Sequence, residues 1–488
     1  MKSLAAKQKS ALVIDSKDNV AVALTDLIKE DICSVRIGEN AIIIEVLEDI
    51  PFGHKIAVKD LAADEEVLKY GEEIGRMHAP IKKGGWVHNH NMFCERGKKV
   101  ADTFWGYSRK SGKVGIRNQI AIIPSVFCSA KVAERIAYQV PGTVYFRHPV
   151  GCSQVGEDLE VTAKTLIAIG NNPNFAGVVV VGLGCERFSP YELAEGIAPS
   201  QKMLETVVIQ KEGDSIAAIQ KGVKAAREMV QMASRQSREV FPVSELMIGL
   251  NCGGSDMTSG LIANPALGYA SDKLVAQGGS SILSEITELI GTEEILARRA
   301  INNEVAELIR KTIYRTEEKL RKQTQQSSNQ ERTHLISKGN YDGGLSSVVE
   351  KSLGSMKKSG NAPFSGVIPY GHQPNKKGLF LLDSPGHDGE VSTGEAAAGA
   401  HMILFPTGRG TPTGFPGVPV IKITGNPKTY EKMKENIDIN AGTVLEGRKT
   451  LEQAGEEIYQ EIIEVASGKQ VKAEVLGHDE QFCVTRLP

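Results

Sequence analysis

His88 and His90 stand two apart in GGWVHNHNM, residues 84–92, with Asn89 and Asn91 interleaved. In an extended segment alternate side chains share a face, so both imidazoles would point the same way, as a bound metal or a shared substrate requires. A half-exposed strand makes the same arrangement with no ligand at all. Four cysteines also recur in one setting, each just past an apolar run. IIPSVFCSA, HPVGCSQVGED, VVVGLGCERF and IGLNCGGSD carry Cys128, Cys152, Cys185 and Cys252. At the carboxyl ends of parallel strands such residues share one edge, where α/β enzymes bind their ligands. Cysteine equally suits a tight strand-end turn without a ligand. The spacing lacks the CxxC pairs of a structural zinc or ferredoxin-type site.

Carboxylates and cations sit in similar turns. Glu186 in GLGCE and Asp256 in NCGGSD adjoin glycines that let backbone approach a ligand closely. Each carboxylate can bind a metal or a substrate hydroxyl, or simply cap the following helix. His148 precedes Cys152 by four residues and is a candidate base or ligand, with a structural role as the plainer reading. Arg117, followed by Asn118 in GKVGIRN, and Arg409 in FPTGRGTPTG lie in glycine-flanked turns suited to a bidentate grip on a carboxylate. A phosphate reading fails: FPTGRGTPTG has no Lys-Ser/Thr ending, and GLGCERF is not GxGxxG.

The elements that must position these groups fall into two textures. Residues 1–97 read as a small β-rich module, with short β-branched runs such as SALVIDSKDNVAVAL, AIIIEVLEDI and HKIAVKDL. Residues 98–112 read as a linker. From residue 113 buried-strand candidates (KVGIRNQIAIIPSV, PGTVYFRHPVG, FAGVVVVGLGCE) alternate with helical patterns such as AKVAERIAYQV and DLEVTAKTLIAIG. SELMIGLNCGGSD and SSILSEITELIG continue the pattern, with a last unit from GLFLLDSPGHD through HMILFPTGRGTPTG, which means βαβ units and mainly parallel sheets. A first α/β domain spans 113–240 and a second α/β region 241–488. Within the latter, 293–330 reads as a long charged helix ending in a polar stretch.

Composition excludes several function classes. Lys and Arg number 57 against 59 Asp and Glu, a net charge of −2 that favours no nucleic-acid partner. No run of about eighteen apolar residues is present, so no membrane span is expected. The N-terminus lacks a secretory apolar core, and seven scattered cysteines argue against a disulfide framework, so a cytoplasmic location is expected.

Several stretches together resemble the altronate/galactarate dehydratases, a family of sugar-acid dehydratases whose sulfolactate sulfo-lyase relatives eliminate sulfite. They are GHKIAVKDL and KYGEEIG, GYSRKSGKVGIRNQIAI, NPNFAGVVVVGLGCE, CGGSDMTSGLIANPALGYASDKLV, SILSEITEL, FPTGRGTPTG, IDINAGT and VASGK. They cover nearly the whole chain. The resemblance implies an N-terminal SAF-type (β-clip) module on an α/β catalytic region, and metal-dependent loss of water from a sugar acid. The HNHN element and EITELIGTEEILARRA look altronate-type, whereas VVEKSLGSMKKSG and FPTGRGTPTG look galactarate-type. The choice of sugar acid (altronate, galactarate or another) therefore stays open.

The implied reaction removes the C2 proton beside a carboxylate and expels the C3 hydroxyl, giving a 2-keto-3-deoxy acid. The resemblance makes His88, His90, His148, Glu186 and Glu285 (in ILSEITE) the catalytic candidates. Arg117, Asn118, Asp256 and Arg409 would bind substrate. His88, His90, Cys152, Cys185 and Cys252 would bind the metal, with Fe2+ expected ahead of Mn2+, Mg2+ or Ca2+, and an iron–sulfur cluster as a further alternative. A sulfo-lyase and a non-catalytic sugar-acid-binding relative are the competing readings. The expected partner is a small sugar acid, with no nucleic acid and no membrane, and a homo-oligomer is compatible with the sequence.

Overall fold

Alternation governs the first part of the chain. In Ile32–Ile37, Cys33 and Val35 are buried while Ile32 and Arg36 face out, and Asn40–Glu45 pairs antiparallel beside it. Both belong to a six-stranded sheet, in spatial order Asn40–Glu45, Ile32–Ile37, Ser10–Val13, Val20–Ala23, Lys55–Ala57 and Trp86–Val87. A second sheet holds Glu66–Lys69, Glu72–Met77 and Met92–Phe93. The inward residues of the six-stranded sheet, among them Ala11, Ala21, Val35, Ile44 and Ile56, form one core.

The computed structural model describes residues 9–38, 40–93, 102–323 and 336–485. Residues 98–101 of the expected linker and the polar end of the 293–330 segment lie outside these. The chain divides into two compact units, Met1–Ala101 and Asp102–Pro488. The later part of the stretch read as a linker is ordered structure of the larger unit. Thr103–Ser108 is a strand paired with Glu239–Pro242 and with Val114–Gly115.

In the larger unit, two parallel sheets carry the architecture. The four-stranded one runs Thr143–Tyr145, Gln119–Pro124, Phe175–Gly182, Met203–Val208. Phe175–Gly182 is buried along its whole length, as a strand covered on both faces must be. The seven-stranded one runs Phe364–Pro369, Leu379–Asp383, Ser280–Leu283, Met247–Leu250, Met402–Pro406, Val420–Thr424, Ile439–Asn440, all parallel. The chain enters this sheet at its centre, at Met247–Leu250, and builds one side first. It then crosses back to lay Met402–Pro406 on the other side. Such a reversal opens a crevice beyond the carboxyl ends of the central strands, where α/β folds place their ligands.

One helix fills the seam between the sheets. Asp388–Ala397 is buried at every residue from Val391 onward, which its small side chains (Ser392, Thr393, Gly394, Ala396, Ala397) permit. Ala396 and Ala397 pack in one core with Val178 and Val180 of the smaller sheet and Ile403 and Phe405 of the larger. The helix Asn303–Gln323 lays Val305, Ile309 and Ile313 on the far flank at helical spacing.

Candidate active site

The carboxyl end of Met247–Leu250 leads to Cys252, and that of Ser280–Leu283 leads to Glu285 and Glu288. Glu285 has φ of 63°, a left-handed conformation that costs a non-glycine residue energy and is concentrated at functional sites. Its N–H is held by Ser384 Oγ at 2.9 Å. The tight turn Ile286–Glu288 then brings Glu288 round to the same side. The Cys252 thiol lies 3.4 Å from Glu285 Oε1 and 3.0 Å from Glu288 Oε2. All three groups are buried.

The helix Val348–Ser355 and the turn Met356–Ser359 supply the opposite charge. Lys351, Ser355 and Lys358 follow one stripe at spacings of four and three. Lys358 Nζ meets Glu285 Oε2 at 2.5 Å, Lys351 Nζ meets Glu288 Oε1 at 2.6 Å, and Ser355 Oγ reaches Glu288 Oε2 at 3.3 Å. Lys358 has no exposed surface. Burial and the Glu288 charge push Glu285 up to about 7, against the pull of Lys358. Burial also raises Glu288, but Lys351 and Lys358 outweigh it and hold that carboxyl below its ordinary value. The Cys252 thiol is pushed well up by burial and by both carboxylates. Burial opposes charge on Lys358, yet Cys252, Glu285 and Glu288 prevail and keep it protonated.

The pattern fits a divalent ion. Cys252 Sγ, one oxygen of Glu285 and one of Glu288 lie within 4.8 Å of one another, the sole such cluster found among the described residues. These inner atoms face each other, while the outer oxygens are occupied by the lysines, the arrangement in which neighbouring groups orient metal ligands. A cavity of about 310 Å³ opens on the cluster, walled by Cys252, Thr287, Glu288, Lys351, Gly386 and Asp388. Asp388 is half-buried, its carboxyl raised by burial and by Glu288.

A second cavity, about 470 Å³, lies beyond the Gly253–Asp256 turn and is lined by Asp256, Arg409, Asn426, Thr429 and Lys432. Asp256 takes the capping task, and it also stands in the wall of this cavity. One oxygen caps the next helical segment through Thr258 Oγ1 at 2.6 Å and the Ser259 N–H at 3.1 Å, and the other takes Asn426 Nδ2 at 3.0 Å in the cavity wall. Arg409 is exposed, and among the described residues its guanidinium makes a single hydrogen bond, to the Gly339 carbonyl at 3.3 Å. Gly408 is obligatory, since a Cβ there would stand 2.2 Å from the Asp256 carboxyl carbon.

Other expected residues go elsewhere. Cys128, Cys152 and Cys185 are exposed at the carboxyl edge of the four-stranded sheet, not on the sheet of Cys252, so the four cysteines do not converge. Glu186 folds back on its own turn, accepting from Ser125 Oγ at 2.6 Å and from the Leu183 and Gly184 N–H groups at 3.0 and 2.5 Å. His148 is buried against the Pro124 carbonyl at 2.6 Å, and desolvation lowers its pKa. Arg117 grips no free carboxylate. Its five donors meet Glu474 Oε1 and Oε2 and the Ile116, Val465 and Lys469 carbonyls. Asn118 is likewise engaged, by Arg109 and the Ala233 carbonyl.

In the smaller unit, His88 and His90 lie in a turn, not along a strand. The strand ends at Val87, and residues 88–91 turn the chain into Met92–Phe93. Asn91 closes that turn, its carboxamide taking the His88 N–H at 2.9 Å and donating to the Trp86 carbonyl at 2.8 Å. The two imidazoles still share a side, because both pack on Trp86, with ring centroids 5.5 and 4.9 Å from it. A third, His54, stands 4.6 Å from His88. The Trp86 indole N–H donates to His54 Nδ1 at 3.1 Å, which leaves the proton of a neutral His54 on Nε2. Desolvation and the charges of His54, Lys55 and His90 depress His88.

Comparison with known proteins decides the family. The D-galactarate/altronate dehydratase C-terminal model matches residues 243–488, the second-domain model 106–234, and the altronate/galactarate dehydratase SAF domain 9–95. The chain is 37% identical to altronate dehydratase of Bacillus subtilis (strain 168), over 96% of this chain and 97% of that one. The chain belongs to the altronate/galactarate dehydratase family. Galactarate dehydratase (L-threo-forming) of Escherichia coli (strain K12) is 35% identical over 88% of each chain. The (2R)-sulfolactate sulfo-lyase subunit beta of Chromohalobacter salexigens is 38% identical over 79% of this chain and 97% of its own. The family fixes the enzyme class as hydro-lyase and the architecture as a β-rich SAF domain on an α/β region. Among the described residues, no helix is long and apolar enough to cross a membrane.

Glu288, Lys351 and Lys358 were not singled out from the sequence. Glu288 had a signal, three residues after Glu285 in SEITE. The lysines had none: in VVEKSLGSMKKSG they look like the solvated face of a helix.

Proposed function

We propose that the protein is a metal-dependent dehydratase that converts an altronate-type aldonate or galactarate-type aldarate into a 2-keto-3-deoxy acid. One observation carries this reading: a thiol and two carboxylates converge, buried and backed by two lysines, at the switch point of the parallel sheet in a chain of this family. Cys252, Glu285 and Glu288 would hold the ion, and the thiol favours Fe2+ over Mg2+ or Ca2+. A divalent ion bound there supplies electrostatic stabilisation of the charge that develops when the proton beside the carboxylate is lost.

The chain's own residues supply the rest. Lys351 stands in the cavity wall as a fixed cation near the developing negative charge. Asp388, with its carboxyl raised, is placed to hold or release a proton in the same cavity. Arg409 presents unengaged guanidinium donors to a substrate carboxylate in the adjoining cavity. His88 and His90, with His54 beside them, remain proposed acid/base or ligand groups of the SAF domain. A cytoplasmic setting goes with this reading.

The test is anaerobic purification, metal analysis, and assay of water loss across altronate, galactarate and related acids. C252A and E288Q should lose bound metal and turnover together while unfolding cooperatively. Retention of both metal and turnover in these variants would overturn the assignment. Sulfite release from sulfolactate, with no water loss from any sugar acid, would move the protein to the sulfo-lyase branch.

A further inference from the structure

Glu395, on the seam helix, has no exposed surface and lies against the backbone of Gly249 in the central strand. A Cβ at position 249 would stand 2.5 Å from Glu395 Oε2, so the glycine opens a slot for this carboxyl. Its Oε1 is 2.7 Å from Ser284 Oγ, and among the described residues its Oε2 has no hydrogen-bond partner. Ser284 Oγ is also 3.1 Å from the Leu250 carbonyl. A serine hydroxyl carries one proton. Were Glu395 ionised, its Oε1 and the Leu250 carbonyl would compete for that proton, and a charged Oε2 would be buried with no well-formed hydrogen bond from the described residues, at heavy cost. With a proton on Oε1, Glu395 donates to Ser284 Oγ and Ser284 donates to the Leu250 carbonyl. Every contact is then satisfied, and the remaining Oε2 belongs to a neutral acid.

We propose that Glu395 is a protonated carboxyl that acts as a positioning residue, tying together the two strand ends that deliver Cys252 and Glu285. Ser284 immediately precedes Glu285, whose left-handed backbone needs to be held, and Leu250 lies two residues before Cys252. The charged groups acting on Glu395 are Glu285 from the neighbouring strand end and Lys358 from the turn beyond it. Burial and Glu285 raise its pKa to about 8, against the Ser284 hydroxyl, Lys358 and the Leu250 backbone.

The positioning role rests on the reading of Cys252, Glu285 and Glu288 as the reactive centre, whereas the protonation does not. Infrared difference spectra of the full-length protein, wild type minus E395Q, should show the carbonyl stretch of a buried neutral acid at pH 6, fading as the pH passes about 8. Absence of that band overturns the protonation. E395Q keeps a neutral group able to donate to Ser284 and should keep turnover. E395L should lose about 100-fold in kcat with KM little changed, since misplaced reacting groups cost that much. If E395L fails to fold, S284A breaks the same link while leaving the acid band in place, and should lose kcat alone. Full turnover in E395L or S284A, or equal loss in E395Q and E395L, overturns the positioning role. Full activity in C252A and E288Q would place the fault in the reading of the reactive centre, with the acid band still deciding protonation.

Discussion

Lys358 shows how far a single side chain can depart from its surface habit. A lysine with no exposed surface stays charged because Glu285 faces it at 2.5 Å, and removing it leaves that carboxylate uncompensated in the interior. K358M should therefore cost about 3–5 kcal/mol in the metal-free protein, read by denaturant unfolding. Metal added back should recover part of that loss. Arg409 behaves oppositely, being exposed and lightly held. R409M should raise KM about 10–100-fold, the worth of one charged hydrogen bond, and leave stability unchanged. Glu395 makes a pH prediction. Its folded pKa is raised from 4.5 to about 8, so the folded state keeps a proton that the unfolded chain releases. Its favourable contribution is full below 4.5, falls as the pH climbs through that window, and is gone above about 8. Relative to wild type, E395Q should gain stability across the window by up to about 1.4 kcal/mol per pH unit and level off beyond it. These residues also mark what the sequence conveys. Cys252, Glu285, Asp256 and Arg409 were legible because each sits beside a glycine-bearing turn or a strand end. Lys351, Lys358 and Glu395 were not, because burial of a charge is a property of what folds over it.

Among the elements, the parallel strands announced themselves by unbroken apolar runs such as FAGVVVVG, and their helices by amphipathic spacing. The seam helix gave no such signal. DGEVSTGEAA has no apolar stripe, because it is buried all round by small residues rather than on one face. The HNHN stretch misled in a different way. Its alternation reads as a strand, but Asn91 bonds its side chain to the local backbone and bends the chain, as this residue type often does. N91A should cost about 1–2 kcal/mol in the thermal unfolding of the full chain and widen the separation of His88 and His90. Nuclear resonance of the imidazole protons would register that change.

At the scale of the whole molecule, the order in which the chain visits the central sheet has a bearing on synthesis. Cys252 is made before Glu285, Lys351, Lys358 and Glu395, and before the strand Met402–Pro406 that flanks its own. At ordinary translation speeds the interval to Glu395 is roughly 7–30 s. During that time the thiol lacks the complete cover that later makes it a poor nucleophile. The finished enzyme shields this sulfur, but the nascent chain does not. Oxidative loss of activity should therefore fall on protein being made rather than on protein already folded, and a pulse of peroxide during expression, compared with the same pulse after it, would separate the two.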